Sequence, residues 1–110
     1  MRVERDGEIL AESSDPYLLF EPPLPVRYYL PPHDVRTELL APSPTRTFCA
    51  YKGEAAYLSL AGEEDVAWSY PRPLREAAEV TDRIAFFNER VDIVVDGKRL
   101  ERVVTPWSRR

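Results

Sequence analysis

Eleven prolines in 110 residues, against four glycines, constrain this chain more than any other feature. They cluster at Pro22, Pro23, Pro25, Pro31 and Pro32, then at Pro42 and Pro44, then at Pro71 and Pro73. A proline has no backbone N–H and fixes φ, so neither a long helix nor a central strand runs through one. Short segments remain, many with apolar residues alternating in period two. The chain is therefore expected to be mainly β, a small single domain over residues 1–110. About seven to nine short antiparallel strands and one or two helical turns are expected from the turn spacing.

Asp6-Gly7 and Asp96-Gly97 are the strongest turn signals. Each predicts a hairpin, the first between Arg2–Arg5 and Glu8–Glu12, the second between Val91–Val95 and Lys98–Val103. Tyr17–Glu21 and Val26–Leu30 read as strands joined by an extended Pro22–Pro25 connection. Tyr28 and Tyr29 then fall on opposite faces. Asp34 is placed to cap a short turn through Val35–Leu40, and Ala41–Thr45 reads as a proline-bearing loop. Thr47–Tyr51 and Ala55–Leu60 are strands around a tight Lys52-Gly53-Glu54 connection, Gly53 supplying a positive φ. A loop at Ala61–Asp65 leads to a strand at Val66–Tyr70, with Trp68 and Tyr70 on one face. Leu74–Val80 suits one or two helical turns, and Ile84–Phe87 a buried strand. Residues 105–110 read as a flexible tail around Trp107.

Composition excludes several classes. Hydrophobic residues make up 44%, enough for a packed core. Fifteen basic against nineteen acidic residues give −4, which speaks against a nucleic-acid surface. Arg99, Arg102, Arg109 and Arg110 read as a solvated basic end rather than a binding patch. No run approaches the roughly 20 apolar residues of a membrane span, and the start is not a signal peptide. One cysteine and one histidine supply neither a disulfide nor a structural zinc set. No metal or cofactor is expected, and a reducing cytoplasm is.

Three ordered stretches carry a resemblance: Tyr29–Val35 (YLPPHDV), Thr47–Tyr57 (TFCAYKGEAAY) and Ala67–Tyr70 (AWSY). With Ile84–Phe87 and Val91–Gly97, they resemble the bacterial domain of unknown function 427 family, which also carries a nucleotidyltransferase-like label. The resemblance implies a small fold of strongly bent sheets similar to the tent-like β fold. That fold is also seen in B-type methionine sulfoxide reductases and the thalidomide-binding domain of cereblon. The paired CxxC zinc motif of such relatives is absent, as is the reductase cysteine motif, so neither activity follows from the fold. The nucleotidyltransferase label finds little support in the residues either. No Asp-x-Asp pair is present to hold magnesium, and Lys52-Gly53 has the wrong order and neighbours for a phosphate loop.

The aromatic and polar residues of these stretches suit a small-molecule concavity. Trp68 and Tyr70 would form one wall, completed by Tyr29, Tyr57 and Phe86. Asp34 and Lys52 are its expected polar pair, the aspartate as counter-charge to the lysine, with Cys49 beside them. Catalytic candidates are Lys52, Cys49 and Asp34, each needing a partner to activate it. His33, between proline and aspartate, reads as an exposed loop residue. The leading expectation is binding of a small polar or anionic molecule in an aromatic-lined pocket. The alternatives are an enzyme working through Lys52 or Cys49, and a protein-interaction module forming a homodimer through the tail.

Overall fold

The computed structural model describes residues 1–108, and the basic end expected at Arg109 and Arg110 lies outside the described residues. In chain order the strands are β1 (Arg2–Arg5), β2 (Glu8–Glu12), β3 (Tyr17–Leu19), β4 (Arg27–Leu30) and β5 (Ala41–Cys49). There follow β6 (Gly53–Leu60), β7 (Glu63–Ser69), β8 (Ile84–Phe86), β9 (Asp92–Val95) and β10 (Lys98–Arg99). They form a four-stranded sheet, order β10-β9-β1-β2, and a six-stranded sheet, order β3-β4-β8-β7-β6-β5. The pairings between these strands are antiparallel.

Both Asp-Gly turns close as the sequence dictates. Asp6 and Gly7 have φ of 51° and 82°, and Asp96 and Gly97 have 51° and 77°. Two consecutive positive φ values give the turn whose twist matches that of the flanking strands. The second hairpin is shorter than the alternation suggests, since β10 stops at Arg99.

Elsewhere the chain departs from the expected pattern. Ala41–Thr45 is not a loop but the first half of β5. Pro42 and Pro44 are tolerated because β5 is the outermost strand, where one row of N–H groups has no partner to serve. The register with β6 shifts between Pro42 and Arg46, so the prolines sit in an irregular stretch of the edge. The Ala61–Asp65 loop contracts to a turn with Gly62 at φ 81°, and β7 already begins at Glu63. Asp34 caps nothing. It lies inside a 3-10 turn, Pro32–Asp34, and the following turn, Thr37–Leu39, has no side-chain cap. Two further 3-10 turns, Arg75–Val80 and Pro106–Ser108, make four among the described residues instead of one or two.

The six-stranded sheet is apolar on both faces. One face packs on the four-stranded sheet: Leu30, Ala67, Ile84 and Phe86 meet Val3, Leu10 and Ile93, with Val91 just before β9. Burying a side chain of this size stabilises the fold by about 1.5–3 kcal/mol. The other face carries Tyr29, Ala55, Trp68, Tyr70, Ala85 and Phe87, joined by Ala77 and Val80 from the 3-10 turn at Arg75–Val80. Strand alternation allots neighbours to different clusters: Tyr28 and Leu30 to the first, Tyr29 to the second; Phe86 to the first, Phe87 to the second.

Candidate functional site

Cross-strand register builds a row on the second face. Tyr29 of β4 is opposite Ala85 of β8, Ala85 is opposite Trp68 of β7, and Trp68 is opposite Tyr57 of β6. A methyl group thus lies between two large rings, and the row dips at Ala85. Across the dip the Trp68 indole N–H donates to the Tyr29 hydroxyl at 3.1 Å, their rings nearly perpendicular with centroids 6.1 Å apart. Phe87 leans on Trp68 at 4.5 Å and stacks on Tyr57 at 6.4 Å. Tyr70 lies 6.5 Å from Tyr29. Together they form the walls of an open concavity of about 200 Å³.

The polar members come from elsewhere in the chain. The end of β5 brings in Cys49, the turn after it Lys52, and the proline-rich connection Glu21 and Leu24. This turn is clamped from behind. The Leu74 N–H donates to the Lys52 carbonyl at 2.9 Å, and the Lys52 N–H donates to the Cys49 carbonyl at 3.2 Å. Gly53 has φ 104°, and a Cβ there would stand 3.4 Å from the Arg72 oxygen and the Leu74 nitrogen. Only glycine takes this conformation so close to another backbone without strain.

Lys52 Nζ donates to Glu21 Oε2 at 2.7 Å. Burial disfavours its charge, but the Glu21 hydrogen bond and carboxylate outweigh burial and hold the ammonium above its ordinary pKa. Cys49 is shifted the opposite way. Burial works against its thiolate, yet the backbone N–H groups of Tyr51 and Lys52, with the Lys52 ammonium, together hold the thiol below the usual cysteine value. Burial pushes Tyr29 and Tyr70 far up, so both remain neutral phenols. Tyr70 is 6% exposed and lines the concavity.

A second ion pair underlies the aromatic wall. Arg27, 7% exposed, donates to Glu89 through two hydrogen bonds of 2.6 and 3.0 Å and to Asn88 Oδ1 at 2.5 Å. Its guanidinium lies 5.3 Å from the Trp68 ring centroid and 5.5 Å from that of Phe87, within cation–π range. The Thr105 hydroxyl donates to Glu89 at 2.6 Å, and the Trp107 carbonyl accepts from Arg90 Nε at 2.9 Å. The segment read as a flexible tail thereby docks, and Trp107 lines the mouth of the concavity.

Of the residues singled out in the sequence, Tyr29, Cys49, Lys52, Tyr57, Trp68 and Tyr70 come together here. Two do not. Asp34 accepts from the Ser13 hydroxyl at 2.7 Å, with the exposed His33 imidazole 3.5 Å away, and it does not face Lys52. The counter-charge of Lys52 is Glu21. Phe86 points into the core between the sheets, and its neighbour Phe87 lines the concavity. Sequence reasoning missed Glu21, Arg27, Phe87 and Trp107. None left a usable signal in the sequence: only the pairing of Ala85 with Trp68 puts residue 87 on the Trp68 face. Among the described residues, no group of three His, Cys, Asp or Glu side chains is placed to hold a metal ion. No helix among the described residues is long and apolar enough to cross a membrane.

A family model described as "Domain of unknown function (DUF427)" matches residues 1–97. That span holds every lining residue named above except Trp107. No curated protein matches the chain.

Proposed function

The chain belongs to the DUF427 family, and from that premise we propose that it binds a compact, flat small molecule bearing a polar or anionic group. The observation that carries this reading is the concavity itself, which gathers the rings of Tyr29, Tyr57, Trp68, Tyr70 and Phe87 around the Lys52 ammonium and the Cys49 thiol. Trp68, Tyr57 and Phe87 offer stacking area, and Lys52 offers a charge. The volume of about 200 Å³ lies below the roughly 300–1,000 Å³ of drug-sized sites, so the ligand is a single ring or its equivalent. The free thiol suits a reducing, cytoplasmic setting.

Thermal unfolding against a panel of nucleobases, aromatic acids, sugars and amino-acid derivatives tests the reading. A ligand at about 100 times its Kd stabilises by about 2.7 kcal/mol, several degrees for a domain of this size. The hit should be weakened in Lys52→Met and in Tyr70→Phe. For an anionic ligand it should be strengthened in Glu21→Gln, which removes the competing carboxylate. A panel without hits, with both weakening variants as stable as wild type, would remove the pocket reading.

The lowered Cys49 thiol favours a second reading, an enzyme working through that residue. Lys52 fits this role less well: paired with Glu21, it stays charged and is a poor amine nucleophile.

A further inference from the structure

Strand β5 is an outer edge of the six-stranded sheet, paired on one side only, with β6. Pro42 and Pro44 remove N–H donors from its first half and leave Thr45–Cys49 as its proline-free run. Alternation puts Arg46 and Phe48 on the face where Leu58 and Ala67 enter the core, opposite Ala56 and Glu54 of β6 respectively. The four-stranded sheet does not cover this end, and Arg46, Phe48 and Glu54 are exposed. Phe48 and Tyr51, each 74% exposed, are the most open aromatic side chains among the described residues. Arg46, Phe48, Glu54 and Ala56, with Pro71 and Arg72, line a hollow of about 480 Å³ that carries both signs of charge. Arg46 Nη1 donates to the Ser43 and Thr45 carbonyls at 2.7 and 2.8 Å, which lays its side chain along the edge.

We propose that this edge pairs, antiparallel, with the same edge of a second copy of the chain, the two-fold axis standing normal to the sheet at Thr47. A strand added to an open edge satisfies its free row of backbone groups. An axis normal to the sheet keeps every side chain on its own face. It therefore passes through a residue and its copy, never between two residues. Arg46, Thr47 and Phe48 are the positions that bring the two proline-free runs together. Only an axis at Thr47 pairs both runs over their full length.

Side-chain chemistry selects the same register. An axis at Arg46 sets two guanidinium groups directly opposite each other, which is destabilising, and sets Pro44 against Phe48. An axis at Phe48 sets Arg46 against Ala50, past the end of β5. With the axis at Thr47, Arg46 of each copy lies opposite Phe48 of the other. Cross-strand neighbours have Cβ atoms about 4.5–5.5 Å apart, so the guanidinium meets the ring within cation–π range, and it does so twice. Glu54, beside Phe48 on β6, places the opposite charge on the same row. On the other face Thr47 meets its own copy, a favourable cross-strand pair. A two-fold interface must be complementary to itself, and the row of Glu54, Phe48 and Arg46 is. The two six-stranded sheets become one, with both concavities opening on the same side.

Sedimentation of the whole chain over a dilution series, without ligand, tests the proposal independently of the binding reading. The wild-type mass should rise with concentration toward twice the 12.7 kDa of one chain. Phe48→Lys sets an ammonium against Arg46 of the other copy and should hold the mass at that of one chain. Combining it with Arg46→Glu puts opposite charges across the axis again, and the double variant should regain the dimer. Both positions are exposed, so the variants should keep the fold, which melting curves check. In a Cys49→Ser background, Thr47→Cys should oxidise to a linked dimer faster than Arg46→Cys or Phe48→Cys, because residue 47 alone faces its own copy. Four results would overturn the proposal: a single-chain mass at every concentration, a dimer that survives Phe48→Lys, a double variant that stays single, or fastest linkage at position 46 or 48.

Discussion

Gly53 joins the conformation of one residue to the geometry of the whole site. Its φ of 104° is one that residues with a Cβ rarely adopt, and a Cβ there would touch the Arg72 and Leu74 backbones at 3.4 Å. Gly53→Ala is expected to destabilise the chain by about 1–3 kcal/mol in urea unfolding. It should also displace Lys52, which a higher Cys49 titration midpoint would report; an unchanged midpoint would mean that the turn holds Lys52 without this contact. At this scale the sequence was partly legible. Period two separated Tyr28 from Tyr29 and put Trp68 with Tyr70, because alternation needs no knowledge of neighbours. It failed at Phe86 and Phe87, where an all-apolar run has no polar phase and only pairing with β7 decides the faces. The Lys52–Glu21 pair was out of reach for another reason. Two charges 31 positions apart meet through the path of the chain, and Glu21 precedes two prolines with no pattern of its own.

Among the elements, the Arg27–Glu89 pair ties β4 to the segment after β8 beneath the aromatic wall. Burial opposes the Glu89 charge, but the Arg27 hydrogen bonds, the Thr105 hydroxyl and the Arg27 charge outweigh it and hold the pKa below the ordinary value. Because the folded pKa is depressed, the stability it contributes is fully present above the unfolded carboxylate pKa. It is lost as the pH falls through the folded value. Glu89→Ala, which leaves a buried guanidinium uncompensated, is expected to cost about 3–5 kcal/mol at neutral pH. The variant should also have a flatter acid limb in plots of unfolding free energy against pH; a limb as steep as that of wild type would assign acid sensitivity to other carboxylates. Strand β5 shows what element-level reading lacks. Pro42 and Pro44 signal a loop only if the strand is central, and its position at the sheet edge is a property of the assembled order.

For the molecule as a whole, two sheets enclose one core while the outer face of the larger sheet is left as an open aromatic concavity. Residues 105–108 then close over part of that surface from beyond the family-matched span. Trp107→Ala and Trp107→Phe each leave Trp68 as the sole tryptophan. Acrylamide should quench Trp68 more strongly in the alanine variant, where the mouth is open, than in the phenylalanine variant. The accompanying loss of stability should be about 1 kcal/mol. Equal quenching would mean that the segment does not shield the concavity.

The hydrogen bond from Leu74 to Lys52 gives the site a clock. Leu74 does not line the cavity, yet its amide proton is held by the carbonyl of the residue that supplies the charge. The amide can exchange with solvent deuterium only when the Cys49–Gly53 turn lifts from the segment behind it. Its exchange rate therefore measures how often the lysine is unseated. A ligand that requires a seated Lys52 would slow exchange at Leu74 without touching it, giving a readout of occupancy before the ligand's identity is known.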